Sequence, residues 1–364
     1  MIFKRFLAHV LIISIITTSF SSVVQVGAQT EEASNQAVQV ASVEDGSVQT
    51  KARPVEPTEE FIISEEDEFS VFMNNTLFWG SNYKVKLKCD INMKGKEFKP
   101  IKEFGGVFDG CGHAVSNFKI ENKSGKGKKE EISFINVLNE CAEIKNVKFD
   151  NYSIEGKSGI KKAAGLVLTN HGTISSVDIK NSSINNIGKK VNAAGYVLNN
   201  EEDGVIENSH IENINVEDSK IKSGFVGTNY GKITKCSTAV SVNSKDIAGG
   251  FCGSNLGEIN DCKAEGRVKA RASKGVTICG GFVGENSGII KNSSSTGEVE
   301  GQEFTGGFAG INSDNGEISL SKATCNVKSH TYIASINCGG FVGVDAGKIE
   351  NCGFEGKVEA CVDS

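Results

Sequence analysis

Histidines and carboxylates are the side chains with which this chain could do acid–base or metal chemistry. Beyond residue 28 the histidines are His113, His171, His210 and His330. None lies in an HExxH pattern, which would place two zinc ligands and a glutamate base on one helix face. The sequence also lacks CxxC pairs. We therefore expect the histidines to be turn or surface residues, and we predict no metal site and no cofactor.

A polysaccharide lyase or hydrolase would need carboxylates gathered on one face of the fold. In a chain that repeats itself, such a cluster arises most simply from acids at one register in adjacent repeats. Glu258 and Glu317 share a register, but Ile289 lies between them. Glu265 and Glu355 also share one, with two threonines between. The acids are therefore dispersed, and we predict no catalytic residues.

Three shorter segments could still carry chemistry. Asp109, in FDGCGH, is a candidate acid, although its glycine-rich context favours a turn residue. NNEEDG (199–204) and NSDNG (312–316) offer oxygen ligands for small calcium loops, and solvated acidic turns are the alternative interpretation. We predict that the chain is not an enzyme. A carbohydrate-active enzyme, either a polysaccharide lyase or a hydrolase, is the alternative from another functional class.

Basic residues recur before six successive coils, from a degenerate copy at Ser133 to the coil that starts at Gly281, and form the predicted binding site. These residues, the basic edge, are Lys126, Lys128, Lys129, Lys157, Lys161, Lys162, Lys189, Lys190, Lys220, Lys222, Lys245, Arg271 and Lys274. Stacked repeats would align them as a positive stripe, which would bind a polyanion through many weak, salt-dependent contacts. Solvated lysines on turns are the alternative interpretation.

The repeat that carries these residues starts at a glycine. The seven glycines are 26 to 33 residues apart: Gly165, Gly195, Gly224, Gly250, Gly281, Gly307 and Gly340. Leucine, tyrosine or phenylalanine follows each of them, and asparagine comes five residues later except at Asp345. Isoleucine follows nine residues after five of the glycines. It comes two residues late at Ile206 and Ile318, so the extra residues lie in a turn.

Short Val- and Ile-rich segments between glycines and asparagines indicate strands rather than helices. A coil of such strands buries its apolar face only by stacking on the next coil, where identical residues lie about 4.7–4.9 Å apart. We therefore predict three columns. They are an interior aromatic column (Phe225, Phe251, Phe282, Phe308, Phe341), a valine column (Val242, Val268, Val299, Val327, Val358) and an outer charge ladder (Lys269, Glu300, Lys328, Glu359).

The repeat resembles the GLUG family, named for its Gly-Leu-any-Gly motif. Here the motif reads GFVG at 224–227, 281–284 and 340–343, GFCG at 250–253 and GFAG at 307–310. The copies GLVL and GYVL lack the second glycine, and residues 83–120 are similar to the segment that commonly precedes such repeats. The resemblance spans about 61–364. It implies an all-β, right-handed parallel β-helix (β-solenoid) on a bacterial exported or cell-surface protein. Such repeats occur in adhesin-like proteins and in the non-catalytic region of immunoglobulin-A-type metallopeptidases.

The N-terminal region predicts export and sets the domain boundaries. Lys4 and Arg5 precede an apolar run at 6–16, and small residues at 26–28 fit a cleavage site, so residues 1–28 are a predicted signal peptide. No later run approaches the ~20 apolar residues of a membrane span. Residues 29–60 are polar and predict a disordered leader, and residues 61–364 are assigned to the solenoid.

The segment SEEDEFSVFMNN predicts a short helical cap at the start of the solenoid. We expect a helix from about Glu65 to Asn74, with Ser64 and Asp67 as a capping box and Phe69 and Phe72 on one face.

The net charge indicates which partners to expect, and the cysteine count indicates whether the cysteines form disulfides. The formal net charge is −6, and removing Lys4 and Arg5 with the signal peptide makes it −8. An acidic chain of this kind is not expected to bind nucleic acid. The count of 11 cysteines is odd, so they cannot all pair internally, and we predict mostly thiols.

Together these observations predict a secreted or surface-associated structural or adhesive module. The expected partners are a surface glycan, a wall polymer or host matrix, without a transmembrane segment in the mature chain. The sequence leaves open the ligand, the mode of surface attachment and the oligomeric state.

Overall fold

A computed structural model shows an all-β chain whose strands pair in parallel and stack into a β-solenoid of about eight turns. The structure describes residues 57–121, 130–156, 160–185, 187, 191–216, 220–272, 276–331 and 337–362. The predicted signal peptide and most of the predicted leader therefore lie outside the described residues. The first strand begins at Glu59, two residues before the predicted start of the solenoid.

The predicted helical cap is confirmed. Helix α1 spans Glu66–Asn74, a 3-10 turn follows at Thr76–Trp79, and Phe69 and Phe72 are buried. The Phe72 ring stacks on Phe108 with ring centroids 5.3 Å apart, so the helix covers the aromatic interior of the first coils.

The predicted capping box of Ser64 and Asp67 does not form, because the N-cap residue is Glu65 and makes no side-chain cap hydrogen bond. Because the helix begins at Glu66, Glu68 rather than Asp67 occupies the third position of its first turn. The carboxylate of Glu68 accepts hydrogen bonds from the Ser64 amide at 2.6 Å and from the Ser64 hydroxyl at 2.8 Å.

Each coil contributes strands to three parallel sheets. The nine-stranded sheet of the described chain consists of Ile101–Phe104, Ile135–Leu138, Val167–Asn170, Val197–Asn200, Val226–Asn229, Cys252–Asn255, Val283–Asn286, Ala309–Asn312 and Val342–Asp345. The eight-stranded sheet consists of Glu130–Ile132, Ile160–Ala164, Asn192–Ala194, Lys220–Ser223, Ile247–Gly249, Ile278–Gly280, Phe304–Gly306 and Asn337–Gly339.

The long sheet holds 24 strands among the described residues, because most coils enter it two or three times. They are Glu59–Ile63, Tyr83–Leu87, Ile91–Phe98, Val107–Asp109, Ala114–Glu121, Glu143–Asp150, Ser153–Glu155, Thr173–Lys180, Ser183–Asn185, Val205–Glu207, His210–Glu212, Asn215–Val216, Lys232–Thr234, Ser237–Ala239, Val242–Ser244, Glu258–Asn260, Lys263–Ala270, Ile289–Lys291, Ser294–Gly301, Glu317–Ser319, Lys322–Thr331, Lys348–Glu350, Gly353–Glu355 and Val358–Val362.

The glycine that starts each repeat lies where the eight-stranded sheet turns into the nine-stranded sheet. A β-carbon on Gly195 would lie 2.1 Å from the carbonyl oxygen of Gly224 on the next coil. The glycine is therefore required by close backbone approach. Where the second glycine of the motif is replaced, Leu168 and Leu198 form a small cluster with Ala164 and Ala194.

The predicted interior columns are confirmed. The rings from Phe225 to Phe341 stack coil on coil, with successive centroids 4.8 to 4.9 Å apart. The valine column is in register throughout, and its first four members are buried. Val358, in the last described coil, is 44% exposed. Ile206 and Ile318 pair with the isoleucines of adjacent coils, so the extra residues do lie in the preceding turns.

Candidate functional site

The structure describes the side chains of four residues of the basic edge: Lys161, Lys162, Lys245 and Arg271. For Lys220 and Lys222 it describes only the backbone, which lies in the strand Lys220–Ser223. The remaining members, Lys126, Lys128, Lys129, Lys157, Lys189, Lys190 and Lys274, lie outside the described residues.

Strand register brings part of the basic edge together. Lys162 pairs with Asn192 on the next coil, and Asn192 pairs with Lys220 on the coil after that. These positions form one row along the eight-stranded sheet. Most of the other predicted basic residues precede this row in the sequence and lie outside the described residues.

Acidic residues share this edge with the lysines. The Nζ atom of Lys162 lies 2.9 Å from Glu131 on the preceding coil. Lys161 and Lys245 are exposed. The basic edge is therefore partly neutralised where its side chains are described.

Arg271 belongs to a cluster around one carboxylate. Glu300 accepts a hydrogen bond from Arg267 at 2.8 Å, and it lies 2.9 Å from Lys269 and 3.6 Å from Arg271. Burial opposes ionisation of Glu300, but the bonds from Lys269 and Arg267 outweigh it and hold its pKa below the usual value. Arg267 also lies 3.6 Å from Glu298, so the three cations share two carboxylates and the cluster carries one surplus positive charge.

The predicted charge ladder runs along the same surface. Lys269, Glu300, Lys328 and Glu359 occupy one register on successive coils. Lys269 lies 2.9 Å from Glu300, and Lys328 lies 3.4 Å from Glu359. The alternating signs are therefore paired, as the sequence predicted.

Asp109 is the last residue of the strand Val107–Asp109 and lies just before a turn, not in it. Its carboxylate accepts a hydrogen bond from the Cys111 amide at 3.0 Å and one from Asn146 at 3.2 Å. Burial raises the pKa of Asp109, but these bonds and two nearby lysines outweigh it and keep the pKa below its usual value. Asp109 is therefore ionised at neutral pH and cannot serve as a general acid there.

The other acids lie where the sequence placed them, whereas His210 and His330 are partly buried strand residues and not turn residues. Ile289 separates Glu258 from Glu317 in the register of the long sheet. Two threonines likewise separate Glu265 from Glu355. The histidines lie at the surface or are partly buried, with His113 3.2 Å from Asp90 and His171 3.1 Å from Asp203 as examples.

The segments proposed as calcium loops close as tight backbone turns. The Gly204 amide donates to the Glu201 carbonyl at 2.9 Å, and the Gly316 amide donates to Ser313 at 2.7 Å. Across the part of the chain that the structure describes, no group of three or more His, Cys, Asp or Glu side chains could hold a metal ion.

Sequence reasoning missed a polar cleft on the outside of the long sheet, where two of its strand segments meet at a corner. This asparagine cleft, of about 520 Å³, is lined by Asn92, Lys94, Gly95, Asn117, Phe118, Lys119, Asn151, Tyr152, Ser153, Asn181 and Ser183. Asn117, Asn151 and Asn181 occupy the corner on successive coils with φ of 59°, 50° and 49°. Asparagine tolerates this left-handed conformation better than most residues, which explains its recurrence here.

The asparagines of the cleft are hydrogen-bonded to one another along the solenoid axis. Asn117 donates to Asn92 at 3.0 Å, Asn151 donates to Asn117 at 2.5 Å, and Asn181 donates to Asp150 at 2.9 Å. Asn151 and Asn181 begin Asn-x-Ser triplets, and this recurrence was the sequence signal that could have revealed the corner.

No family model, no curated protein and no solved structure matches this chain. Within the described residues, no helix combines the length and apolar character needed to cross a bilayer.

Proposed function

We propose that this chain is a non-catalytic module of an exported or surface-associated bacterial protein, and that it binds a glycan or another polyanion along the basic edge. The observation that carries the proposal is the row Lys162, Asn192 and Lys220, which holds two predicted residues of the basic edge at one register of the eight-stranded sheet. Arg271, another member of the basic edge, lies in a cluster of three cations and two carboxylates, which has one surplus positive charge.

Stacked coils suit a ligand that repeats along its length. Neighbouring coils lie about 4.7–4.9 Å apart, so each unit of an extended polymer meets an equivalent coil. Each lysine contributes a weak, solvent-screened contact, and many such contacts in parallel give useful affinity. A sulfated or uronic-acid glycan and a teichoic acid share this chemistry.

Membership of the GLUG-repeat family is part of the same proposal. It is supported by the five GLUG-type motifs and by a solenoid in which the first glycine of each motif lies at a corner with close backbone approach. The alternative is a lyase or hydrolase. Glu258 and Glu317 are separated by Ile289 on the intervening coil, whereas Glu121 and Glu155 share a register on adjacent coils.

The proposal is tested by retention on immobilised heparin and on purified wall polymer as salt rises from low to physiological. Replacing Lys161, Lys162, Lys189 and Lys190 with Gln should shift elution to markedly lower salt, because four positive charges leave the edge. The matched control replaces Lys232, Lys263, Lys322 and Lys348 with Gln, which removes the same charge from the long sheet.

Equal loss of retention in both quadruple variants would mean that net charge alone, and not the basic edge, holds the polymer. Absence of retention at low salt would contradict polyanion binding altogether. Release of unsaturated or reducing sugar ends from a polysaccharide panel would instead favour the enzyme alternative.

A further inference from the structure

The asparagine cleft has unused hydrogen-bonding capacity. A side-chain amide offers two N–H donors and a carbonyl oxygen with two lone pairs. The bond from Asn151 to Asn117 uses one donor of Asn151, and the bond from Asn181 to Asp150 uses one donor of Asn181. Each therefore keeps a second N–H on an exposed side chain. The cleft thus presents amide groups one coil apart.

The opposite wall of the cleft adds hydroxyl groups and a positive charge. Lys119 pairs in register with Ser153, and Ser153 pairs with Ser183 on the next coil. None of the described residues that line the cleft carries a carboxylate, but three acids lie beside it. Asp150 accepts from Asn181 at 2.9 Å, and Glu121 and Glu155 stack two residues beyond Lys119 and Ser153. Glu97 precedes Lys119 in the same register, and Lys94 forms an ion pair with Glu66 at 3.1 Å.

The spacing of these groups along the solenoid axis determines which ligands can bond to several of them at once. Amides and hydroxyls repeat along the axis at the coil spacing of about 4.7–4.9 Å, which is close to the length of one sugar ring. The rings of Phe118 and Tyr152 at the floor are buried, so the cleft offers polar contacts rather than an aromatic stacking platform. A ligand rich in hydroxyl groups and extended along the axis satisfies this pattern.

We propose that the asparagine cleft binds an acidic oligosaccharide that lies parallel to the solenoid axis. Its ring hydroxyls bond to Asn117, Asn151 and Asn181 on one wall and to Ser153 and Ser183 on the other, and a uronic-acid carboxylate pairs with Lys119. This site uses no residue of the basic edge, so it stands or fails separately from the proposed function.

The probe is a size series of oligogalacturonates, with neutral galactan oligosaccharides of equal length for comparison, measured by calorimetry on the full chain. Affinity for the acidic series should rise with length up to about four sugars, the number of coils that line the cleft, and then level off. Asn151→Gly should weaken binding about fivefold or more, because it removes an amide while glycine retains the left-handed corner. Lys119→Gln should weaken the acidic series by a similar factor and leave the neutral series unchanged.

The matched control is Asn292→Gly. Asn292 has the same left-handed conformation, with φ of 47°, at another corner of the long sheet, and it donates to Asp261 away from the cleft. Its binding should equal that of the wild type. Unchanged binding in both Asn151→Gly and Lys119→Gln, equal loss in Asn292→Gly, or no binding of the acidic series at millimolar concentration would each overturn the proposal. If Asn151→Gly does not fold, as judged by thermal unfolding, Lys119→Gln decides alone.

Discussion

Asn200 makes three hydrogen bonds in a fully buried position. Its carbonyl oxygen accepts from Asn170 at 2.7 Å, and its amide nitrogen donates to Asn229 at 2.8 Å and to the Gly204 carbonyl at 3.1 Å. The same arrangement continues through Asn229, Asn255 and Asn286 to Asn312. The repeated asparagine therefore satisfies buried turn carbonyls as well as its neighbours in the column.

Asn200→Asp should destabilise the protein by about 3 kcal/mol at neutral pH, because it places a carboxylate against two acceptor oxygens. Protonation restores a donor, so the pKa of this Asp is raised in the folded state. The loss of unfolding free energy is therefore smallest below about pH 3.9, the pKa of Asp in the unfolded state. It grows as the pH rises towards the pKa of this Asp in the folded state. Denaturant unfolding at pH 4 and pH 7 measures this difference.

The control for that experiment is Asn199→Asp. Asn199 is the preceding residue of the same strand and is only partly buried, with its side chain on the other face. Its free energy of unfolding should change by less than about 0.5 kcal/mol. A similar loss in both variants would contradict the role given to the buried column.

Leu320 occupies a corner position that suits asparagine. It has φ of 52° and is exposed, whereas Asn292 and Asn351 hold the same corner on the adjacent coils with φ of 47° and 52°. Leu320→Asn should stabilise the protein by about 1 kcal/mol, and Asn292→Leu should destabilise it by a similar amount, because leucine is strained in the left-handed region. Opposite shifts in the midpoint of denaturant unfolding would confirm this, and shifts of equal sign would refute it.

Cys236 and Cys262 belong to a column of serines and cysteines. The thiol of Cys262 donates to the Asn260 carbonyl at 3.1 Å, and the hydroxyls of Ser293 and Ser321 make the equivalent bond at 2.8 Å. These cysteines therefore bond like the serines of the column.

All eleven cysteines are thiols in the structure, in agreement with the prediction. Burial raises the pKa of the Cys236 and Cys279 thiols, so both resist alkylation in the folded state. Iodoacetamide at pH 8 should label the exposed Cys141 and Cys361 rapidly and leave Cys236 and Cys279 unlabelled. Denaturation without reductant should then expose eleven alkylatable thiols by mass spectrometry. A count lower by an even number would reveal disulfides.

At the scale of elements, the aromatic column ties neighbouring coils together. Phe282 lies between Phe251 and Phe308, with centroids 4.9 and 4.8 Å away. Phe282→Ala should cost roughly 3–5 kcal/mol, because the ring leaves a cavity between two coils. Phe341→Ala should cost clearly less, since this ring is only partly buried. Equilibrium unfolding compares the two variants. Equal losses of unfolding free energy would contradict a larger stabilising contribution from the ring in the middle of the column.

The strand register of the interior could be predicted because four kinds of residue recur together. A shift of one residue would misplace all four columns at the same time. Phe, Val, Asn and Ile recur at fixed distances from each glycine, and all four columns are in register in the structure. Leu168 and Leu198 depart from this pattern, and the sequence did not predict that they would pack against Ala164 and Ala194. That pairing depends on how closely two sheets approach at a corner, which periodicity does not report.

The candidate site was less predictable than the interior. Lysines before the glycines mark the basic edge in the sequence, but Glu131 and Glu300 approach them only through neighbouring coils. The asparagine cleft depends on corner conformation at Asn117, Asn151 and Asn181, which side-chain periodicity alone does not fix.

At the scale of the whole molecule, each coil contacts chiefly its neighbours, so coils should be removable as units. Deleting residues 251–281 joins Gly250 to Phe282 and restores every column with one coil fewer. This variant should keep a β-type circular dichroism spectrum and unfold cooperatively at a lower midpoint. Deleting 251–265 removes only part of a coil and should abolish folding. Equal behaviour of the two deletions would contradict the modular description.

The side-chain dipoles of the buried asparagine column all point the same way along the stack of coils. Every amide from Asn170 to Asn312 donates towards the next coil, so the side-chain dipoles add with their positive ends towards Asp345. Asp345 accepts the last of these bonds at 2.8 Å, and its carboxylate places negative charge at the positive end of the array. An acidic residue at a helix N-terminus is favoured for the same reason. The single departure from asparagine in this column therefore acts as the counter-charge of a polarised, side-chain hydrogen-bond chain.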